Sequence, residues 1–424
     1  MWSSPRIRRI PLVIAFLIVL PILFLLYQES HSLRVSPFYN IRPVPKYRDG
    51  TRGSWVPAPE RAEEADRWNQ PGWCRPYSSP ADGGPDEKDE ENNIRRARLV
   101  ASWEWVLEEG KPMRAWDAEA FIERALKSRG GVVVIGDSVA VQMLYGLETL
   151  LGTHHGEWPR TIAQDVKVDD KGMYLLSSTL TLEPANPLFE KLLAKPSLAS
   201  VPRSRFYRPF LTSYRSDVLM DEVALNITMT KAGMTETLNP THHISKGDWR
   251  QGLWNTSQQE GWPGELDTIV VLNSGPHWTT WPLYPATDEH VIRGYTATMS
   301  SVQEFFAVPP PMPIMAFFRA TSAAHHNCNV HSSPVPANST TASDPAPPGD
   351  KFGWHLFAIF NRIAQEFFST PKMRYLDIWP MTAQRPDGHS GWHDDQHDCL
   401  HWCHPSVPEW WSRILWHTIV EEEL

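Results

Sequence analysis

No basic stripe runs through this sequence. Its 49 Asp and Glu outnumber its 40 Lys and Arg, and the formal charge is −9. The clustered cations that a phosphate backbone requires are missing, which excludes nucleic acid as a partner. There is no internal repeat, so 424 residues with 41% hydrophobic content supply one large core or two smaller ones. Charge is also missing from residues 10–27, IPLVIAFLIVLPILFLLY. An apolar run of this length suits a membrane-spanning helix. It lacks a small-x-small cleavage signal close behind it, which argues against a removed signal peptide. Arg6, Arg8 and Arg9 precede it, so the positive-inside rule leaves residues 1–9 in the cytoplasm and the remainder in the lumen.

That single-pass type II topology predicts an oxidising, glycosylating compartment. Asn226, Asn255 and Asn338 head N-glycan sequons. Cysteine is scarce, with only Cys74, Cys328, Cys399 and Cys403. An even number predicts two disulfides, for which three pairings exist. Cys399 and Cys403 are not expected to pair with each other; each reaches Cys328 or Cys74. Residues 28–95 read as a stem and linker, ending in an acidic polar stretch over 80–93. Residues 331–350, HSSPVPANSTTASDPAPPGD, form a low-complexity insert.

Residues 96–424 hold the folded domain. Buried strands are expected at 132–135, 268–272, 313–318 and 373–378, with helices at 139–151, 354–368 and 406–420. This alternation predicts an α/β fold with a mostly parallel sheet covered on both faces by helices. Residues 156–265 have no pattern clear enough to order. In such sheets a ligand sits beyond the carboxyl ends of the strands, where the reactive side chains of this chain also fall.

Ser138 follows Gly136-Asp137 at a predicted strand end and opens a helix. A serine there is either an N-cap or a nucleophile exposed by a sharp turn, and the strand-turn-helix context favours the nucleophile. Asp398 and His401 lie in HDCLHWCHP. A serine hydroxyl needs an imidazole to take its proton, and the imidazole needs an acceptor that holds its tautomer. A spacing of three residues lets one local turn bring this carboxylate to this ring. Asn273, in Asn273-Ser274-Gly275, is either a turn residue or an oxyanion donor beside the N–H groups of Ser138 and Gly275. His389, His393, His397 and His401 recur at every fourth residue among Asp394, Asp395 and Asp398, which raises a rival metal site. Gly388, Ser390 and Gly391 make a loop the expected conformation there rather than a ligating helix.

Several segments now resemble one family. Trp103-Glu104-Trp105, Val133 to Ser138, Asn273 to Trp278, Phe317 to Ser322, Arg385-Pro386-Asp387-Gly388-His389 and Asp398 to Cys403 are similar in order to the GDSL/SGNH-like acyl-esterases. These include the plant trichome-birefringence-like polysaccharide O-acetyltransferases and the fungal capsule O-acetylation proteins. The plant proteins usually carry Arg three residues after the nucleophile, where this chain has Val141.

The resemblance implies a flavodoxin-like three-layer sandwich, here preceded by one transmembrane helix. It implies Ser138 as nucleophile, His401 as base and Asp398 as its orienter. It further implies the disulfides Cys328–Cys399 and Cys74–Cys403. His277, Trp278, Arg319 and Trp402 are the candidate substrate-binding residues. The expected activity is O-acetyl transfer to glycan or polysaccharide hydroxyls in the Golgi or secretory pathway. The donor is acetyl-CoA or an acetylated intermediate, with no bound cofactor and with an acyl-donor transporter as a possible partner. Hydrolysis of a carbohydrate or lipid ester by the same triad is the alternative, and a metal-dependent hydrolase is the third reading.

Overall fold

The computed structural model describes residues 51–63, 65, 74, 90–108, 112–152, 165–168, 174–239, 248–257, 262–308, 312–337, 339, 352–370, 372–393 and 396–424. Tyr47–Leu424 forms one compact unit. The run at 10–27 and the sequon at Asn338 lie outside the described residues, among which no helix is long and apolar enough to cross a membrane.

The strands in chain order are β1 Gly53–Pro57, β2 Trp103–Leu107, β3 Val132–Gly136, β4 Asp165–Val168, β5 Tyr174–Thr181, β6 Pro209–Arg215, β7 Thr268–Leu272, β8 Ile314–Arg319, β9 Met373–Leu376, β10 His389–His393 and β11 Gln396–Trp402. The helices are α1 Glu90–Ala101, α2 Ala118–Leu126, α3 Ser138–Leu150, α4 Pro187–Leu193, α5 Glu222–Lys231, α6 Trp249–Ser257, α7 Asp288–Ala307, α8 Phe357–Phe368, α9 Trp379–Ala383 and α10 Val407–Glu423.

The main sheet runs β4-β5-β6-β3-β7-β8-β9. Strands β6, β3, β7, β8 and β9 are mutually parallel, whereas β4 and β5 join antiparallel at one edge. These two edge strands lie in the stretch that had no legible pattern.

Side-chain alternation explains the layers. In β3, Val132 and Val134 enter one core with α2, α3 and α10. Val133 and Ile135 enter the other, with α5, α6, α7 and α8. A strand with apolar residues on both faces is buried on both, which is why VVVIG reads as a continuous run. The chain passes from β6 across β3 to β7, so the carboxyl end of β3 is a topological switch point. Gly136 is needed there, because a Cβ would lie 2.3 Å from the Asn273 carbonyl oxygen.

Several boundaries differ from the sequence reading. The folded unit begins well before residue 96, since β1 pairs antiparallel with β2 and buries Trp55. Trp55 packs edge-on against Trp105 and Trp410 and donates its indole N–H to the Met381 carbonyl. Long-range contacts of this kind leave no local pattern. The insert begins later than residue 331, because the Val335 N–H bonds the Gln384 carbonyl at 2.8 Å. His389–His393 and Gln396–Trp402 are neither helix nor loop: β10 and β11 pair antiparallel with an irregularity between His389 and Gly391. Gly391 takes a φ of 94°, which L side chains rarely adopt, so this glycine permits the irregularity instead of ending the strand.

Candidate active site

Asp137 makes the turn that presents Ser138. Its carboxylate accepts the N–H groups of Val139 and Ala140 at 2.9 and 3.3 Å, capping α3. Its carbonyl accepts the Val141 N–H at 3.1 Å. The Ser138 N–H remains outside the helix's own ladder, at the positive end of the dipole. Ser138, named above as nucleophile, is therefore not the cap; the residue before it is.

His401 Nε2 lies 2.8 Å from Ser138 Oγ, and His401 Nδ1 lies 2.8 Å from Asp398 Oδ2. The second Asp398 oxygen accepts the N–H groups of Leu400 and His401 at 3.1 and 2.9 Å. Asp398 and His401 both lie on β11 rather than in a separate turn, and a single carboxylate bonds both the backbone and the ring of His401. Burial pushes the Asp398 carboxyl up, but the charge and hydrogen bonds of His401 outweigh it and hold the group well below its ordinary range. Burial opposes the charge on His401, but Asp398 prevails and raises the imidazole above its ordinary value of 6.5. Asp137 adds to this rise, and Arg215, on the end of β6, works against it.

Beneath Ser138 lies a buried charge couple. Burial raises the Asp137 carboxyl to about 6, with Arg319 opposing and Asp217 adding to the rise. The Arg319 guanidinium lies over Trp411 at 4.5 Å and is held down to about 10 by burial, against the pull of Asp137.

Three of the four candidate substrate contacts are core residues. Trp278, Trp402 and Arg319 have no solvent exposure. Trp278 packs edge-on against Tyr295, and Trp402 stacks on His389, so neither indole offers a face to a sugar. Large aromatic area is better buried than exposed unless a partner covers it, and here the fold covers it. His277 is also nearly buried, 3.8 Å from Asp217.

The Asn273 amide donates to the carbonyls of Arg319 and Ala320 at 3.3 and 3.5 Å, tying β7 to the end of β8. Gly275 has no room for a side chain, since a Cβ would meet Thr321 Oγ1 at 2.1 Å. Asn226 lies half-buried on α5 and Asn255 lies on α6.

The outer members of the four-residue histidine repeat, His389 and His401, do not converge. His389 is buried against His325 at 2.7 Å, whereas His401 faces Ser138. Among the described residues no group of three or more His, Cys, Asp or Glu could hold a metal ion, and Asp394 and Asp395 lie outside them.

Sequence reasoning missed Gln142. Its side-chain amide donates to the Trp402 carbonyl at 2.9 Å and accepts the Trp402 N–H at 3.1 Å. It thereby fastens β11 to α3. The available signal was its position four residues after Ser138, on the same helical face. Arg385 and Asp387, within the Arg385-Pro386-Asp387-Gly388-His389 motif, form a buried bidentate pair at 2.9 and 3.0 Å over Trp55.

The hairpin is clamped by Cys328–Cys399 and Cys74–Cys403, with Cα separations of 5.5 and 4.7 Å, in the pairing that the resemblance implied.

Residues 264–418 match the PC-Esterase family model, the GDSL/SGNH-like acyl-esterase family found in Pmr5 and Cas1p. This stretch of the chain is similar to the PC-Esterase domain. Asn273, Asp398 and His401 lie within the matched stretch, and Ser138 lies before it. Protein trichome birefringence-like 7 of Arabidopsis thaliana is 35% identical over 96 residues, covering 22% of this chain and 18% of the relative. The like-named proteins 42 and 9 of the same plant are 44% and 33% identical over 45 and 69 residues. Those two matches cover 10% and 15% of this chain. The chain thus spans 12 to 18% of the length of these relatives. The mostly parallel α/β sheet fits the family.

Proposed function

We propose that this protein is an acyl-transfer enzyme in which Ser138, His401 and Asp398 act as a catalytic triad, moving acetyl groups onto glycan or polysaccharide hydroxyls. The observation that carries the reading is the pair of 2.8 Å contacts joining Ser138 Oγ, His401 and Asp398. Ser138 Oγ attacks the acyl carbonyl carbon while His401 Nε2 takes its proton. The oxyanion forms at the amino end of α3, where the Ser138 N–H and the helix dipole favour negative charge. His401 then gives its proton to the leaving group, and an acyl-serine remains. In the second half, an acceptor hydroxyl loses its proton to His401 and attacks the ester, releasing Ser138. The acyl donor is acetyl-CoA or an acetylated intermediate, delivered by a transporter if the site is lumenal.

Anchoring by residues 10–27 and a lumenal, Golgi-type location complete the reading. They rest on the charge-free run, the arginines before it, the sequons and the paired cysteines. The purified chain is incubated with radiolabelled acetyl donor and candidate polysaccharides. Label on the polysaccharide that disappears with Ser138→Ala supports transfer. Release of acetate from acetylated polysaccharide without transfer makes the protein an esterase. Label transfer unaffected by Ser138→Ala rejects the triad.

A further inference from the structure

Behind His401 runs a row of three hydrogen bonds through two other histidines. His325 Nε2 meets the Ala383 carbonyl at 3.2 Å, His325 Nδ1 meets His389 Nε2 at 2.7 Å, and His389 Nδ1 meets the His401 carbonyl at 3.1 Å. Both rings are buried, and His389 also stacks on Trp402. The two ends of the row are carbonyl oxygens, which only accept, so each terminal ring nitrogen must carry a hydrogen. The middle contact joins two ring nitrogens and needs one hydrogen between them. The row therefore requires three N–H groups, and two neutral imidazoles supply only two.

We propose that His325 and His389 are positioning residues for His401, and that the pair works in a singly protonated form that ties the His401 carbonyl to the end of α9. This rests on the reading of His401 as the base. The extra proton belongs to His325, which donates from both nitrogens. His389 is the neutral member, donating from Nδ1 and accepting at Nε2. Burial and the neighbouring charge of His325 hold His389 well below its ordinary value, which fits that assignment.

From α1, Arg96 donates to the carbonyls of Asp387, His389 and Ser390 and opposes further protonation of His389. Asp387 is locked to Arg385. On β11, Asp398 favours the protonated pair, and it is already bonded to His401. His326, next in sequence, stacks on Trp354.

Losing the proton sets two lone pairs against each other at one of the three contacts. An unmade buried bond of this kind is costly, so the row opens and the backbone of His401 loses an anchor. The Ser138–His401 contact then lengthens. The pair thus sets an alkaline limit on activity, separate from the acid limit imposed by protonating His401 itself.

Long-range proton–nitrogen NMR of the full chain with 15N-labelled histidine tests the count directly. The expected result at neutral pH is two protonated nitrogens on His325 and an Nδ1–H tautomer on His389. A neutral His325 at a pH where the enzyme is active overturns the proposal, and this reading stands whatever Ser138→Ala does to activity. The companion measurement is the pH profile of kcat on an aryl acetate. Wild-type kcat is expected to fall about tenfold on the alkaline side as positioning is lost. His325→Gln, which cannot titrate and can donate at only one of the two contacts, is expected to show the lowered kcat at every pH and so no alkaline limb, with KM little changed. An alkaline limb identical to wild type in a folded His325→Gln protein rejects the proposal.

Discussion

At the scale of the residue, the roles proposed for His401 and Asp398 predict the pH behaviour. As the proposed base, His401 must be neutral to accept the Ser138 proton, and Asp398 holds its ionisation above the ordinary 6.5. The acid limb of kcat/KM is therefore expected above that value, with activity rising through it. In Asp398→Asn, rate measurements should find the limb at lower pH and kcat reduced about 10,000-fold, since the tautomer is no longer held. Ser138→Ala should lose at least as much. The same pair affects stability. The contribution of His401 is complete below 6.5 and lost as pH rises through its raised value, whereas that of Asp398 is present above 3.8 and lost as pH falls through its lowered one. Asp137 acts in the opposite sense to Asp398. Its contribution is full below 3.8 and is lost as pH rises through about 6. Asp137→Asn, which retains a capping side chain, should flatten that part of a plot of melting temperature against pH.

Elements meet at the site through two side chains that contribute no chemistry. Gln142 joins α3 to β11 by two hydrogen bonds to one backbone unit. Gln142→Leu leaves that buried N–H and carbonyl unpaired, at about 1–3 kcal/mol each. Denaturant melts should show this loss, and kcat should fall more than KM changes, because His401 adjoins Trp402. Arg319, at the end of β8, supplies the cation facing Asp137 under α3. Arg319→Met keeps the contact with Trp411 but leaves a buried carboxylate uncompensated, with a destabilisation of roughly 3 kcal/mol expected from calorimetry. Adding Asp137→Asn should recover most of it, because the uncompensated charge is then gone.

On the scale of the whole molecule, the hairpin carrying Asp398 and His401 comes from the last part of the sequence and Ser138 from the start of α3, some way before the middle. The Cys328–Cys399 bond closes a separation of 71 residues, and Cys74–Cys403 closes one of 329. Chain-entropy arguments assign roughly 4 kcal/mol to the shorter closure. Cys328→Ala with Cys399→Ala should lower the melting temperature, and partial proteolysis should then cut first in the β10–β11 hairpin. Equal protease resistance in the variant would show that the pairing of β10 with β11 suffices to hold it.

Much of this was written locally. The apolar run of Val132 to Ile135, the Gly136-Asp137-Ser138 turn and the spacing of Asp398 and His401 each depend on neighbours in sequence. Such neighbours fix strand burial, helix start and a carboxylate-to-ring contact three residues apart by backbone geometry alone. The disulfide pairing was legible only through family resemblance. Tertiary structure decided the rest. It paired His389–His393 with Gln396–Trp402 as strands, sent Trp278, Trp402 and Arg319 into the core, and paired His325 with His389. It also drew β1 into the domain and set Gln142 against Trp402. These outcomes depend on which surfaces meet after the sheet forms, and a burial contact between residues hundreds of positions apart leaves no periodicity in either segment.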